Sequence, residues 1–119
     1  MYTIGKKFKF SASHVLKGLP EGHKCARLHG HNYEVELVFR APLLDARGFV
    51  VDYGDFHPFK DYIDEKLDHR HLNEALEMDS PTAEKIAEHL FDVALDLDLG
   101  EVYAVRVSET PDTWAEYKR

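Results

Sequence analysis

Two stretches of this chain alternate apolar and polar residues, and both run into histidine without losing parity. In residues 2–13, Phe8, Phe10 and Ala12 share one parity against Lys7, Lys9, Ser11 and Ser13, and His14 continues the apolar side. From Tyr33 to Phe39 the odd positions are Tyr33, Val35, Leu37 and Phe39, and His29 and His31 precede them in that parity. Such alternation marks a strand with one buried face. Paired antiparallel, the two strands bury one apolar surface and carry His14, His29 and His31 at its end. Side chains two apart on a strand project from one face about 7 Å from each other, so the pair can share a metal ion. Neutral imidazole suits zinc and other first-row divalent ions, and a catalytic zinc takes three protein ligands and keeps a fourth position open. The plain alternative is a satisfied turn in which His14 only ends its strand.

Gly18, Pro20 and Gly22 make residues 15–28 an irregular loop, and it carries the chain's one cysteine, Cys25. A lone cysteine forms no intrachain disulfide. Four residues ahead of His29, Cys25 is either a fourth ligand closing a structural metal site or a reactive group; a small buried hydrophobe is the bland alternative. Pro42 ends the second strand, and Asp45-Ala46-Arg47-Gly48 turns into Phe49-Val50-Val51, an expected third strand. Asp55 is the expected N-cap of a helix reaching about Leu67, with Phe56, Phe59, Ile63 and Leu67 at helical spacing. Ser80 as cap and Pro81 in the first position start a second helix, which runs to about Leu97. Residues 102–108 read as a last strand. With no internal repeat, the order is that of one α+β domain over residues 1–119, an antiparallel sheet with both helices on one face.

Asp68-His69 offers a carboxylate that can orient an imidazole, provided the backbone just past the first helix is irregular; a solvated helix end is the alternative. Glu109 ends the last strand in the parity of Tyr103, Val105 and Val107. A carboxylate there can accept two parallel hydrogen bonds from a planar N–H pair. An excess of 22 acidic over 15 basic residues, net −7, argues against a nucleic-acid binder working through phosphate neutralisation. No signal-like segment or long apolar run is present, so a soluble, cytoplasmic protein is expected, with no membrane partner.

Phe10-Ser11-Ala12-Ser13-His14, Cys25 to Tyr33, Val50 to Asp55, Leu67-Asp68-His69, Leu72-Asn73-Glu74, Pro81-Thr82-Ala83-Glu84 and Glu109-Thr110 together resemble, in order, the motifs of the 6-pyruvoyltetrahydropterin synthase / 6-carboxytetrahydropterin synthase family. The resemblance implies a T-fold, a four-stranded antiparallel sheet backed by two helices, whose trimers close a barrel and stack into a homohexamer with sites between subunits. It implies zinc (Zn2+) on His14, His29 and His31, catalytic roles for Cys25, Asp68 and His69, a pterin anchor in Glu109, and a pterin pocket lined also by Thr82 and Glu84. The three-residue gap in CxxxHGH is similar to the bacterial 6-carboxytetrahydropterin synthases of queuosine biosynthesis, which act on a small-molecule pterin triphosphate; the 6-pyruvoyl enzymes carry a longer gap. His71 stands where tyrosine is common in the family. A 6-pyruvoyl-type lyase and a non-catalytic, zinc-stabilised pterin-binding protein are the competing expectations.

Overall fold

A computed structural model describes residues 1–119. The long strands are β1 (Tyr2–His14) and β2 (His29–Ala41), followed by α1 (His57–Lys66), a two-residue β3 (Arg70–His71), the single turn α2 (Leu72–Ala75), α3 (Ala83–Asp96), β4 (Val102–Ser108) and a short β5 (Ala115–Tyr117). The sheet has five strands in the order β3-β1-β2-β4-β5. β1 and β2 pair antiparallel along their full length, with Phe8 opposite Val35 and His14 opposite His29. The alternation therefore works as its parity requires. Phe8, Phe10, Tyr33, Val35, Leu37, Phe39, Val105 and Val107 face α1 and α3, where Phe59, Ile63, Ile86, Leu90 and Phe91 complete one buried cluster. The other face stays uncovered and polar, with Lys7 paired to Glu34 and Arg106 to Glu36 and Glu116.

The sheet departs from the expected four antiparallel strands. Phe49-Val50-Val51 forms no strand, because Asp45 closes the segment on itself: its N–H donates to the Phe49 carbonyl at 2.9 Å and its carboxylate accepts from the Arg47 and Phe49 amides. Val50 and Val51 pack against the core by side chain alone. The missing strand is replaced by β3, parallel to β1, and by β5, antiparallel to β4, so the sheet is mixed.

Both expected helix starts also move. Asp52, not Asp55, caps the 3-10 turn Tyr53–Phe56 that leads into α1, accepting from the Gly54 amide at 2.8 Å. Thr82, not Ser80, caps α3 by accepting from the Lys85 amide at 3.2 Å. Ser80 is engaged elsewhere: its hydroxyl accepts from the Lys17 amide at 2.8 Å, tying it to the chain just past β1, and its carbonyl accepts from the Thr82 amide at 2.9 Å in a tight turn over Pro81. No helix is long and apolar enough to cross a membrane.

Candidate active site and metal centre

The β1–β2 ladder sets the histidines by register alone. His14 lies opposite His29, and His31 lies opposite Ala12 one pleat further in. Gly30 between them sits so close to β1 that a Cβ would meet the Ala12 carbonyl oxygen at 3.2 Å, which explains the small residue inside His-Gly-His. The ligand atoms of His14, His29 and His31 all lie within 4.8 Å of one another.

Hydrogen bonds orient two of the rings. The Nδ1 of His14, fully buried, lies 2.9 Å from the Pro81 carbonyl. A carbonyl only accepts, so Nδ1 carries the proton and Nε2 presents a lone pair. The Tyr33 hydroxyl, 3.2 Å from the same nitrogen, shares that proton as a second acceptor; burial holds the phenol well above its ordinary pKa, and it stays neutral. His29 repeats the pattern, Nδ1 facing the Arg27 carbonyl at 2.6 Å. The two Nε2 atoms then face each other at 2.9 Å, two lone pairs with no proton between them. His31 Nε2 is buried with no hydrogen-bond partner. Burial is the main reason His31 stays below the ordinary imidazole range; Glu109 opposes it, and His14 and His29 add to it.

Glu109 points into this cluster. Its Oε2 is 3.3 Å from His14 Nε2 and 3.1 Å from His31 Nε2, the latter out of line for a hydrogen bond. Two imidazole lone pairs, the unpartnered His31 Nε2 and a carboxylate converge on one point, a set that a cation among them would satisfy. The donor set fits a divalent metal held by neutral imidazoles, two of them, His14 and His29, oriented through the far nitrogen. The cysteine is not in the cluster: Cys25 lies half-buried on the 3-10 turn Lys24–Ala26, its backbone bonded to Leu16 and His23.

Asp68 and His69 do meet. His69 adopts a left-handed backbone with φ of 59°, the irregular link that lets adjacent side chains pair, and its Nδ1 lies 2.9 Å from Asp68 Oδ2. Such a backbone costs about 1–3 kcal/mol and persists only when its surroundings hold it. Ser11 of β1 does so, its N–H donating to Asp68 Oδ1 at 2.9 Å and its carbonyl accepting from the His69 amide at 2.6 Å. The Ser11 amide first, and His69 second, keep the Asp68 carboxyl below the usual range. The His69 imidazole is 82% exposed, with its Nδ1 side held by Asp68. An open cavity of about 500 Å³ runs from His31 to His69 and includes Ser13 and His71, which bond each other at 3.0 Å. Thr82 and Glu84 stand apart from that cavity, Thr82 as the α3 cap and Glu84 exposed in the helix's first turn.

Sequence patterns alone did not expose Asn73 and the Pro81 carbonyl. The Asn73 carboxamide mimics a strand residue beside β1, accepting from the Val15 amide at 2.9 Å and donating to its carbonyl at 2.8 Å. A third bond, 3.0 Å to the Asp79 carbonyl, ties in the turn that presents Pro81 to His14. The contacts to Val15 and His14 span 58–67 residues, so only the fold reveals them; the one local trace is an asparagine closing the polar run after Asp68.

A family model described as 6-pyruvoyl tetrahydropterin synthase matches residues 3–119. A protein of Archaeoglobus fulgidus is 36% identical over 116 residues, covering 98% of this chain and 95% of that one. The 6-carboxy-5,6,7,8-tetrahydropterin synthase of a Synechocystis species is 34% identical over 122 residues, covering 98% of this chain and 93% of the relative. Among solved structures, the Caenorhabditis elegans 6-pyruvoyl tetrahydropterin synthase superposes with a TM-score of 0.82 at 25% identity, over 99% of this chain and 95% of that one.

Proposed function

Because this chain belongs to the 6-pyruvoyl tetrahydropterin synthase family, we propose that it is a 6-carboxy-5,6,7,8-tetrahydropterin synthase. It converts 7,8-dihydroneopterin triphosphate, with uptake of water, to 6-carboxytetrahydropterin, acetaldehyde and triphosphate, a step toward queuosine. The observation that carries this reading is the whole-length identity to a synthase of that name, joined to a His14-His29-His31 cluster that leaves Cys25 outside it. A non-catalytic structural zinc site would be expected to draw the cysteine in as its fourth ligand.

In this reading Glu109 accepts the paired N–H donors of the pterin's 2-amino and N3 edge and orients the ring, and Thr82 and Glu84 line the same pocket. His14, His29 and His31 would hold zinc, which when bound would supply Lewis acidity toward the substrate's side-chain hydroxyls. Cys25, as thiolate, removes a side-chain proton. His69, its imidazole turned by Asp68, moves the complementary proton from the other side. Cys25 does not line the cavity that joins His31 to His69, so a Cys25–His69 pair calls for a second chain. The uncovered sheet face and the short edge strands β3 and β5 suit a barrel of trimers paired into a hexamer, which light scattering on the purified protein tests.

The 6-pyruvoyl reading, favoured by the names of several structural neighbours, differs in its product. Incubation with dihydroneopterin triphosphate and product identification separates the two: acetaldehyde with a carboxypterin supports the proposal, and a 6-pyruvoyl pterin overturns it.

A further inference from the structure

The turn that carries Cys25 has almost no packing to hold it. Between Pro20 and Leu28 every residue except Cys25 is exposed, so hydrogen bonds set the backbone there. Leu16 donates its amide to the Cys25 carbonyl at 3.2 Å, just past the His14–His29 pair that ends the β1–β2 ladder. Most of the other bonds meet at His23. Its amide donates to the Pro20 carbonyl, its own carbonyl accepts from the Ala26 amide, and its imidazole Nδ1 accepts from the Cys25 amide, each at 3.0 Å. His23 thereby caps the 3-10 turn Lys24–Ala26. Such a cap satisfies an amide that the start of a helix leaves without a partner, and Ser, Thr, Asp or Asn usually supplies it. An amide only donates, so Nδ1 of His23 carries the lone pair and Nε2 the proton, the reverse of the tautomer at His14 and His29. An aspartate in its place would set a negative charge two residues from the thiolate that the reaction calls for, whereas the imidazole caps as a neutral group.

We propose that His23 is a positioning residue for the reaction: it fixes the backbone at Cys25, and so the direction from which the thiol reaches the substrate, acting through Cys25 rather than on the substrate. This role rests on the reading of Cys25 as the base given above. It is separable from the metal, because the same turn reaches a metal ligand only at its far end, where the Arg27 carbonyl faces His29 Nδ1 at 2.6 Å. Losing the imidazole leaves the Cys25 amide without its partner and the turn without its cap, while the histidine cluster keeps its own hydrogen bonds to Pro81 and Arg27.

The test compares turnover of dihydroneopterin triphosphate by the zinc-loaded full chain in wild type, His23→Ala, His23→Asn and Cys25→Ala. Zinc content and the rate at which iodoacetamide alkylates the chain's single cysteine are measured on the same samples. His23→Ala should lower kcat about tenfold, within the roughly hundredfold that an ångström of misplacement can cost. Its KM and zinc content should stay at wild-type values, and its half-buried thiol, once released, should alkylate several-fold faster. His23→Asn, whose carboxamide oxygen can accept from the same amide, should recover most of kcat and the slow alkylation. Wild-type kcat in His23→Ala beside an inactive Cys25→Ala overturns the proposal. So does an Asn variant no better than Ala, or a loss of zinc from His23→Ala, which would route the effect through His29. Normal turnover by Cys25→Ala overturns the reading of the thiol itself, and the proposal with it, so the two failures are distinguishable.

Discussion

Replacing Asn73 should loosen the metal centre without touching a ligand. Its carboxamide makes three hydrogen bonds, two to Val15, the residue after His14, and one to Asp79. A hydrogen bond contributes about 1 kcal/mol net. The Asp79 bond is exposed and water replaces it, so Asn73→Ala should cost about 2 kcal/mol. Unfolding entropy of about 2.1 cal/mol/K per residue comes to about 0.25 kcal/mol/K for this 119-residue chain. That converts the loss to a fall of about 8 °C in Tm at fixed protein concentration. Asn73→Asp should be worse, because it sets a carboxylate oxygen against the Val15 and Asp79 carbonyls at 2.8 and 3.0 Å. Scanning calorimetry with chelator present measures the fold alone; repeating it with excess zinc measures how far binding lifts Tm, which should be less in both variants than in the wild type. An Asn73→Asp protein as stable as the wild type would refute the bonding pattern. Both variants losing Tm yet gaining as much from zinc as the wild type would refute the link to His14.

His29→Ala removes a ligand whose Nε2 lies 2.9 Å from that of His14, and the purified protein should lose most of its zinc by elemental analysis; full stoichiometry would contradict the assignment. Cys25→Ala should retain zinc and Tm but lose turnover, and near-normal product formation would remove the thiol from the chemistry. The Asp68 carboxyl, held low by the Ser11 amide and His69, contributes stability that is complete above the unfolded value of about 3.9 and is lost as pH falls through the lower folded value. The Tm advantage of wild type over Asp68→Asn should therefore be present at pH 6 and shrink below about pH 4; an advantage unchanged into acid would show that the carboxylate is not what the Ser11 amide holds.

The parts of the fold legible in sequence were those governed by local repetition. Alternation through Phe8, Phe10 and Ala12 and through Tyr33 to Phe39 sufficed for β1, β2, their pairing and the meeting of three histidines, because side-chain direction in a strand follows position alone. Helical spacing of Phe59 and Ile63 likewise located α1, and Pro81 as a first-turn residue located α3 to within a few residues. What escaped depends on partners far along the chain. Ser80 is a good cap by type, but the end of β1 takes its hydroxyl, and the helix begins past it at Thr82. Phe49-Val50-Val51 has strand-forming residues, but Asp45 ties the segment into a closed loop. Strands β3 and β5 span two and three residues, too few for any alternation to show. At the site, the Asp68–His69 pairing needed an irregular backbone, and the structure supplies it at φ 59°. The lie of Glu109 against the histidines is a tertiary fact with no trace in its neighbours.

In the proposed site three imidazoles hold the metal while the chain's only thiol is kept free for chemistry. X-ray absorption on the zinc-loaded protein reads that directly. The zinc should show only nitrogen and oxygen neighbours, at about 2.0–2.2 Å. A sulfur scatterer at about 2.3 Å would place Cys25 on the metal and contradict it.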